Sequence, residues 1–268
     1  MKKTGAAEIV ANRELANPEY RELVLNAPEV ADRAVPGQFV HVRLASALLA
    51  PLLRRPFGIA GRSGGEILIL MKIRGGFTRI VAGMKPGEIL DLIGPLGNGF
   101  RKEAAEGTTA ILVAGGYGIA PLLNLAESLR GHAARVVLLE GARTASHLLW
   151  KDRIVASGAE ARYATDDGSE GFKGTVVDLG ADVIRRIAGA RTIFACGPNA
   201  MLSALVARFP GVPVQASVES RMACGTGLCQ GCAVPLRGIE GHGRYVRACV
   251  EGPVFDGATV DWDAFPAP

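Results

Sequence analysis

The first hundred residues alternate apolar with polar positions, or run β-branched, between Pro and Gly punctuation. "AEIVANREL" (7–15), "YRELVLNA" (20–27), "GQFVHVRL" (37–44), "RPFGIAG" (55–61), "EILILMKI" (66–73) and "GEILDLIGPLG" (87–97) each read as a strand. Six short strands at that spacing predict an antiparallel β-barrel. Only "FTRIVAGM" (77–84) reads as a short helix among them.

From about residue 108 the period changes. Strands are expected at 109–116, 134–142, 159–167, 191–197 and 212–219, with helices at 119–131, 146–157, 174–189 and 199–209 between them. Alternating strands and helices predict a parallel, doubly wound Rossmann-like α/β sheet. The last fifty or so residues are irregular and rich in Cys and Gly, with at most small strands in "CAVPLRG" (232–238) and "YVRACVEG" (245–252). Such a segment lacks the apolar content for a conventional core, so something other than apolar burial is expected to order it. The multi-domain division expected is a barrel over 1–101, an α/β domain over 102–214 and a Cys-rich domain over 215–268.

The net charge is +4 and the basic residues are scattered; with 6% aromatic residues, this argues against a nucleic-acid-binding surface. Residues 107–126, "GTTAILVAGGYGIAPLLNLA", carry no charge over a length that could span a bilayer. They also hold paired glycines, a proline and an asparagine, and parse as strand, turn and helix, so no membrane span is expected. "MKKTGAAEIVANRE" has no apolar h-region. A cytoplasmic location follows, where clustered cysteines favour metal over disulfide.

Three of five cysteines crowd into "ACGTGLCQGC". Cys224, Cys229 and Cys232 have C-x4-C-x2-C spacing, and Cys249 follows after sixteen intervening residues. That is the plant-type ferredoxin arrangement for a 2Fe–2S cluster, in which four thiolates hold two irons. A zinc site also takes four thiolates, though usually from C-x2-C pairs; three ligands in one small-residue loop favour the cluster. The fifth cysteine, Cys196 in "ACGPNAM", is either a small buried hydrophobe or a ligand-facing residue at a strand's carboxyl end. "AGGYGIAP" (114–121) occupies the same expected edge, and a Gly-rich turn entering a helix suits a pyrophosphate. "IRGGFT" offers Gly75, Gly76 and Thr78 as a second phosphate-type cradle. Arg54 and Arg55 read as either a solvated basic pair or an anion contact.

Together these motifs resemble the ferredoxin-reductase flavoproteins. Arg55, Pro56, Phe57 and Gly58 are similar to the flavin motif of that family, and Cys196, Gly197, Pro198 and Met201 to its C-G-P-x-x-M motif. A narrower resemblance, to the electron-transfer subunits of dihydroorotate dehydrogenase B, runs through "RRP", "GPLGNGF", "GGYGIAPL", "GART", "TDDGS", "CGPNAML" and "ESRMACGTGLCQGC".

The resemblance implies FAD on the barrel, NAD on the α/β domain and a 2Fe–2S cluster on Cys224, Cys229, Cys232 and Cys249. Arg55 would face the FAD pyrophosphate, Phe57 the flavin or ribose, and Thr78 a phosphate. Leu70, Met71 and Lys72 would run past the cofactor toward Gly75, Gly76 and Phe77. Gly115, Gly116 and Gly118, with Gly197, Pro198 and Met201, would receive the nucleotide. Cys196 would border the nicotinamide pocket, with Asp166 and Asp167 expected to line it. Gly58 stands where the family has Ser, Phe77 where a G-x-G-T cradle has its second Gly, and Ala114 where the nucleotide loop has its first.

The function implied is a redox relay. A partner, the FMN-containing catalytic subunit, would oxidise dihydroorotate, and electrons would reach NAD+ through the cluster and FAD within a heterotetramer of two plus two chains. The alternatives are a reductase subunit of a hydrogenase or of a ferredoxin:NAD(P) oxidoreductase, and, in another class, a non-catalytic zinc-stabilised nucleotide-binding module. Glu140, at the end of the second α/β strand, would disfavour a 2′-phosphate if it faced the ribose. Arg143 pulls the other way, leaving NAD and NADP both open from the residues alone.

Overall fold

The computed structural model describes residues 3–45, 51–238 and 244–265, so the outer limits 1 and 268 of the expected division lie outside the described residues. Six strands close into an antiparallel barrel: β1 (Lys3–Glu14), β2 (Tyr20–Asn26), β3 (Phe39–Leu44), β4 (Arg55–Ser63), β5 (Glu66–Lys72) and β6 (Ile89–Leu96), in the order β1-β2-β5-β4-β3-β6. Helices α1 (Pro28–Ala31) and α2 (Gly76–Gly83) pack against it. Alternation decides what faces inward. On β3, Val40 and Val42 fill the barrel core, which puts Phe39 and His41 on the outer face.

The second layer is the expected sheet. β7 (Thr109–Gly115), β8 (Arg135–Ala142), β9 (Glu160–Thr165), β11 (Arg191–Cys196) and β12 (Val214–Ser217) run parallel, with a two-residue strand β10 (Phe172–Lys173) at one edge. The connecting helices are α3 (Ile119–Ser128), α4 (Lys151–Ala156), α5 (Val176–Arg186) and α6 (Asn199–Arg208). β7 is covered on both faces. Ile111 and Val113 enter one apolar cluster, while Ala110, Leu112 and Ala114 enter another, which is why this strand reads as an unbroken apolar run. The uncharged stretch 107–126 thus folds as β7, a tight turn and most of α3, and among the described residues no helix is long and apolar enough to cross a membrane. α3 also joins the two halves: Asn124 Nδ2 donates to the Ile59 carbonyl of β4 at 3.2 Å.

The last segment departs from expectation. β13 (Ala233–Leu236) and β14 (Arg244–Arg247) pair with each other as a small ribbon. A further strand, β15 (Val254–Asp256), adds antiparallel to β12 at the edge of the main sheet. Moreover, Cys232, Val234, Ala248, Cys249 and Val260 are buried in the same cluster as Ile193 and Val214 of the sheet and Phe39 and Leu96 of the barrel. Apolar burial does order the tail, because it borrows its core from both neighbours.

The expected helix over 146–157 is also corrected. A short 3-10 turn, Ala145–His147, is followed by extended backbone, a left-handed Trp150 (φ 57°) and then α4. The break lies in the backbone: Leu148 is extended (ψ 124°) and Trp150 left-handed, and the Leu149 N–H between them donates to Oε1 of the buried Glu140 carboxyl at 2.7 Å. Burial pushes the Glu140 carboxyl up to about 8, with the Leu149 N–H and Lys151 opposing the shift.

Glu140 therefore keeps its proton in the native chain at pH values where the unfolded chain, with its ordinary value of 4.5, has lost it. Its contribution to stability falls as pH rises from about 4.5 through about 8. Glu140→Gln keeps the acceptor for Leu149 and cannot ionise. Urea unfolding at a series of pH values is expected to show this variant more stable than the parent at pH 8, by about 4 kcal/mol. The gap should close toward pH 5.

Candidate functional site

Strand order reverses between β7 and β11, and the loops leaving their carboxyl ends frame a crevice. The two Gly-rich turns interlock there. A Cβ at Gly118 would collide with the Cys196 carbonyl, and one at Gly197 would stand 2.7 Å from Met201 Cε and 3.0 Å from Gly115 N. A Cβ at Gly115 would meet Met201 Sδ at 2.7 Å and Pro198 Cδ at 3.0 Å. Gly115, Gly118, Gly197, Pro198 and Met201 are thus one packed unit. Gly116 differs: the space its Cβ would take is open.

Cys196 ends β11 in register with Ser217 of β12. The residue keeps partial solvent access, yet burial of the thiol, with Glu219 nearby, pushes it up to about 12 against a hydrogen bond from Ser217. It is a thiol, not a thiolate. Three further residues share this edge, and the strand–helix pattern did not single them out. Tyr117 donates its hydroxyl hydrogen to Glu219, and burial followed by that carboxylate raises the phenol above its ordinary value. Asn199 and Glu219 bind reciprocally, the Glu219 N–H donating to Asn199 Oδ1 at 3.0 Å and Asn199 Nδ2 to the Glu219 carbonyl at 2.8 Å. Arg74 lies 5.4 Å from the centroid of the Tyr117 ring. The signal for Glu219 was available: it ends the strand expected over 212–219, just before the cysteine motif.

Asp166 and Asp167 fall elsewhere. They follow β9, which stands three strand positions from β11 in the order β9-β8-β7-β11. At about 4.8 Å per strand that is about 14 Å. Their N–H groups donate to the carbonyls of Ala142 and Arg143, so the "TDDGS" turn borders the β8 loop instead of Cys196. Glu140 is likewise turned into the core toward Leu149 and does not reach an exposed ribose position.

The barrel separates its two arginines. Arg54 donates to Asp91 Oδ2 at 2.7 Å and to the Asp91 carbonyl at 2.9 Å. Burial opposes ionisation of Asp91, but Arg54 and Arg43 outweigh it and hold the carboxyl below its ordinary value. Arg55 makes no ion pair among the described residues and donates to the carbonyls of Leu53 and Arg54. Arg54 is structural; Arg55 is available to an anion. Phe57 stacks on Phe77, with centroids 6.1 Å apart, and Phe77 is buried in the barrel core. An aromatic anchor there explains the absence of a glycine at 77. Gly58 faces Pro121 of α3.

On β5, Met71 points into the barrel core, whereas Leu70 packs in the cluster containing α3. Lys72 pairs with Glu19 at 3.0 Å and lies over the Tyr20 ring. Gly75 and Gly76 border open space. The Thr78 hydroxyl is engaged in capping α2, accepting the Arg74 and Gly75 N–H groups at 2.9 and 3.0 Å.

The cysteine loop presents main-chain donors to sulfur. The N–H groups of Thr226 and Cys229 donate to Cys224 Sγ at 3.4 and 3.5 Å, and that of Gly231 to Cys229 Sγ at 3.5 Å. Partial burial resists ionisation of Cys224, yet these donors bring its thiol down to about 5. Cys249, buried and beside Cys232, is pushed up to about 12, with the Gly227 N–H opposing. Among the described residues no three His, Cys, Asp or Glu side chains close on a single metal ion. An all-sulfur donor set served by several N–H groups fits an iron–sulfur cluster, whose potential such hydrogen bonds tune.

Arg247 ties the cradle's two parts together. It donates to the Gly227 carbonyl at 3.1 Å and forms an ion pair with Glu251. Asn98 of "GPLGNGF" reaches across from the barrel to the Glu251 carbonyl at 3.0 Å. The outer rim exposes Leu228 (84%), Cys229 and Gln230.

Beneath the loop lies His41, which the strand pattern assigned only to β3. Burial and the charge of Arg54, with the Cys224 main chain opposing and Arg55 adding a little, depress its ring to about 4, so it is neutral.

Residues 219–261 match the family described as the iron-sulfur cluster binding domain of dihydroorotate dehydrogenase B. The chain is 40% identical over 249 residues to the dihydroorotate dehydrogenase B (NAD(+)) electron transfer subunit of Bacillus caldolyticus, covering 92% of this chain and 94% of that one. It is 39% identical to the subunit of the same name from Desulforamulus reducens, covering 98% and 100% of the two chains. Among solved structures, one titled for the NADH-dependent reduced ferredoxin-NADP oxidoreductase and flavin-based electron bifurcation superposes with a TM-score of 0.82. Its identity is 32%, covering 97% of this chain and 91% of that one. The barrel, the doubly wound sheet and the sulfur cradle thus occur in a chain that belongs to the family of dihydroorotate dehydrogenase B electron transfer subunits.

Proposed function

We propose that this chain relays electrons from a partner subunit that oxidises dihydroorotate, through a 2Fe–2S cluster and FAD, to NAD+. The observation that carries the reading is the cysteine loop, with main-chain N–H groups already directed at Cys224 and Cys229. Its rim is exposed at Leu228 and Cys229. A cluster bordered by an exposed leucine suits entry of electrons from another protein. When bound, the cluster carries single electrons and FAD converts them to the hydride that NAD+ accepts.

The chain's own residues then have separable tasks. Cys224, Cys229, Cys232 and Cys249 hold the cluster, and Arg247 and Glu251 keep its two segments in register. Arg55 binds the FAD pyrophosphate from β4, and the open cradle at Gly75 and Gly76 admits phosphate oxygens. Phe57, fixed by its stacking on Phe77, presents a flat apolar surface to the flavin or ribose, while Leu70 and Lys72 flank it. The turns through Gly116 and Gly197 receive the NAD pyrophosphate. Cys196, held protonated, borders the nicotinamide with Tyr117 and Glu219. The functional division remains 1–101 for FAD, 102–214 for NAD and 215–268 for the cluster, with the last two sharing one sheet. We place the protein in the cytoplasm, in a heterotetramer with two FMN-containing catalytic subunits.

Purified anaerobically, the protein is expected to show flavin bands and a broad iron–sulfur shoulder in the visible. Cys249→Ser should remove the shoulder and the reduced-cluster EPR signal while flavin is retained; a colourless zinc protein would overturn the reading. NADH should be oxidised faster than NADPH with an artificial acceptor, by about tenfold, the equivalent of 1.4 kcal/mol. Because Glu140 is turned into the core, Glu140→Gln should leave that ratio unchanged. Orotate formation coupled to NAD+ reduction should require added catalytic subunit, and activity of this chain alone would sink the half-enzyme assignment. Reaction with a ferredoxin in place of dihydroorotate would favour the ferredoxin:NAD(P) reading, whose layout the chain shares.

A further inference from the structure

His41 is a fully buried polar side chain to which no task has yet been given. Its place is unusual on both sides. A Cβ at Gly225, whose φ is +67°, would stand 2.5 Å from His41 Nδ1, 2.8 Å from Cε1 and 2.9 Å from Cγ. The cysteine loop therefore rests its main chain on the imidazole, one residue from Cys224. On the other side, β3 pairs His41 with Pro56 of the flavin-motif strand β4. The ring thus lies between the strand assigned to FAD and the loop assigned to the cluster.

Neither ring nitrogen has a hydrogen-bond partner. The Cys224 main chain lies close enough beside the ring to favour its proton, though no ring nitrogen meets it in ordinary hydrogen-bond geometry. A neutral imidazole carries one N–H and one acceptor nitrogen. Leaving a buried polar group unpaired is costly, a cost that Leu or Phe at this position would not carry. The acceptors that a loaded cradle adds at this spot are sulfurs, namely the Cys224 thiolate and the inorganic sulfides.

We propose that His41 is a positioning residue that donates its ring N–H to a sulfur of the cluster held by the Cys224 loop, and so raises the cluster's reduction potential. This rests on the 2Fe–2S reading above. The sign follows from charge. Reduction adds an electron to an already anionic group, and a hydrogen-bond donor stabilises the more negative state.

The test is an EPR-monitored redox titration of the full, cofactor-loaded protein. His41→Leu is expected to lower the cluster midpoint potential at unchanged iron and flavin content. His41→Gln, which keeps an N–H, should restore part of the shift. Equal potentials in the parent and a loaded Leu variant would overturn the proposal. Pulsed EPR of the unmutated protein labelled with 15N-histidine needs no variant to fold: a 15N coupling to the reduced cluster is expected, and its absence would equally overturn it. If the parent gives no 2Fe–2S signal at all, the cluster reading fails instead.

Discussion

The Cys-rich tail has no core of its own, and the architecture turns on where it finds one. Cys232, Val234, Ala248, Cys249 and Val260 join a single apolar cluster with Phe39 and Leu96 of the barrel and Ile193 and Val214 of the sheet. β15 then closes the arrangement by extending the sheet beyond β12. A fully buried valine such as Val234 or Val260 contributes about 1.5–3 kcal/mol, so the tail is held by the same term that holds the domains it touches. Two of the proposed cluster ligands, Cys232 and Cys249, are therefore core residues as well as thiols.

Polar contacts supply the register that apolar packing leaves free. Asn98, Glu251, Arg247 and Gly227 form a connected path from the barrel turn to the cysteine loop. Asn124 and Ile59 do the same between α3 and β4. Single surface ion pairs stabilise little, but a path that ends on main-chain carbonyls fixes loop position by direction. His41 sits where these constraints converge, under Gly225 and beside Pro56.

Much of the fold was legible from periodicity. The six barrel strands and the five long parallel strands follow alternation and unbroken apolar runs, because strand burial imposes those patterns directly. The cysteine spacing, likewise, points to its proposed ligands without a structure. Where a side chain's partner is distant in sequence, the pattern was silent. The helix expected over 146–157 starts only at Lys151, after a left-handed Trp150, with the Leu149 N–H held by the distant Glu140. Asp166 and Asp167 were expected beside Cys196, yet β9 stands three strand positions from β11, because strand order is not written in strand sequence.

The sequence by itself determined the element types, the three-part organisation and the identity of the thiol set, since local period and ligand spacing are properties of neighbouring residues. Only the tertiary structure decided which of two adjacent arginines pairs with Asp91, which carboxylates face the crevice at Cys196, and where the tail buries its apolar side. Those outcomes depend on contacts between residues some tens to more than two hundred positions apart, and packing in three dimensions selects among them.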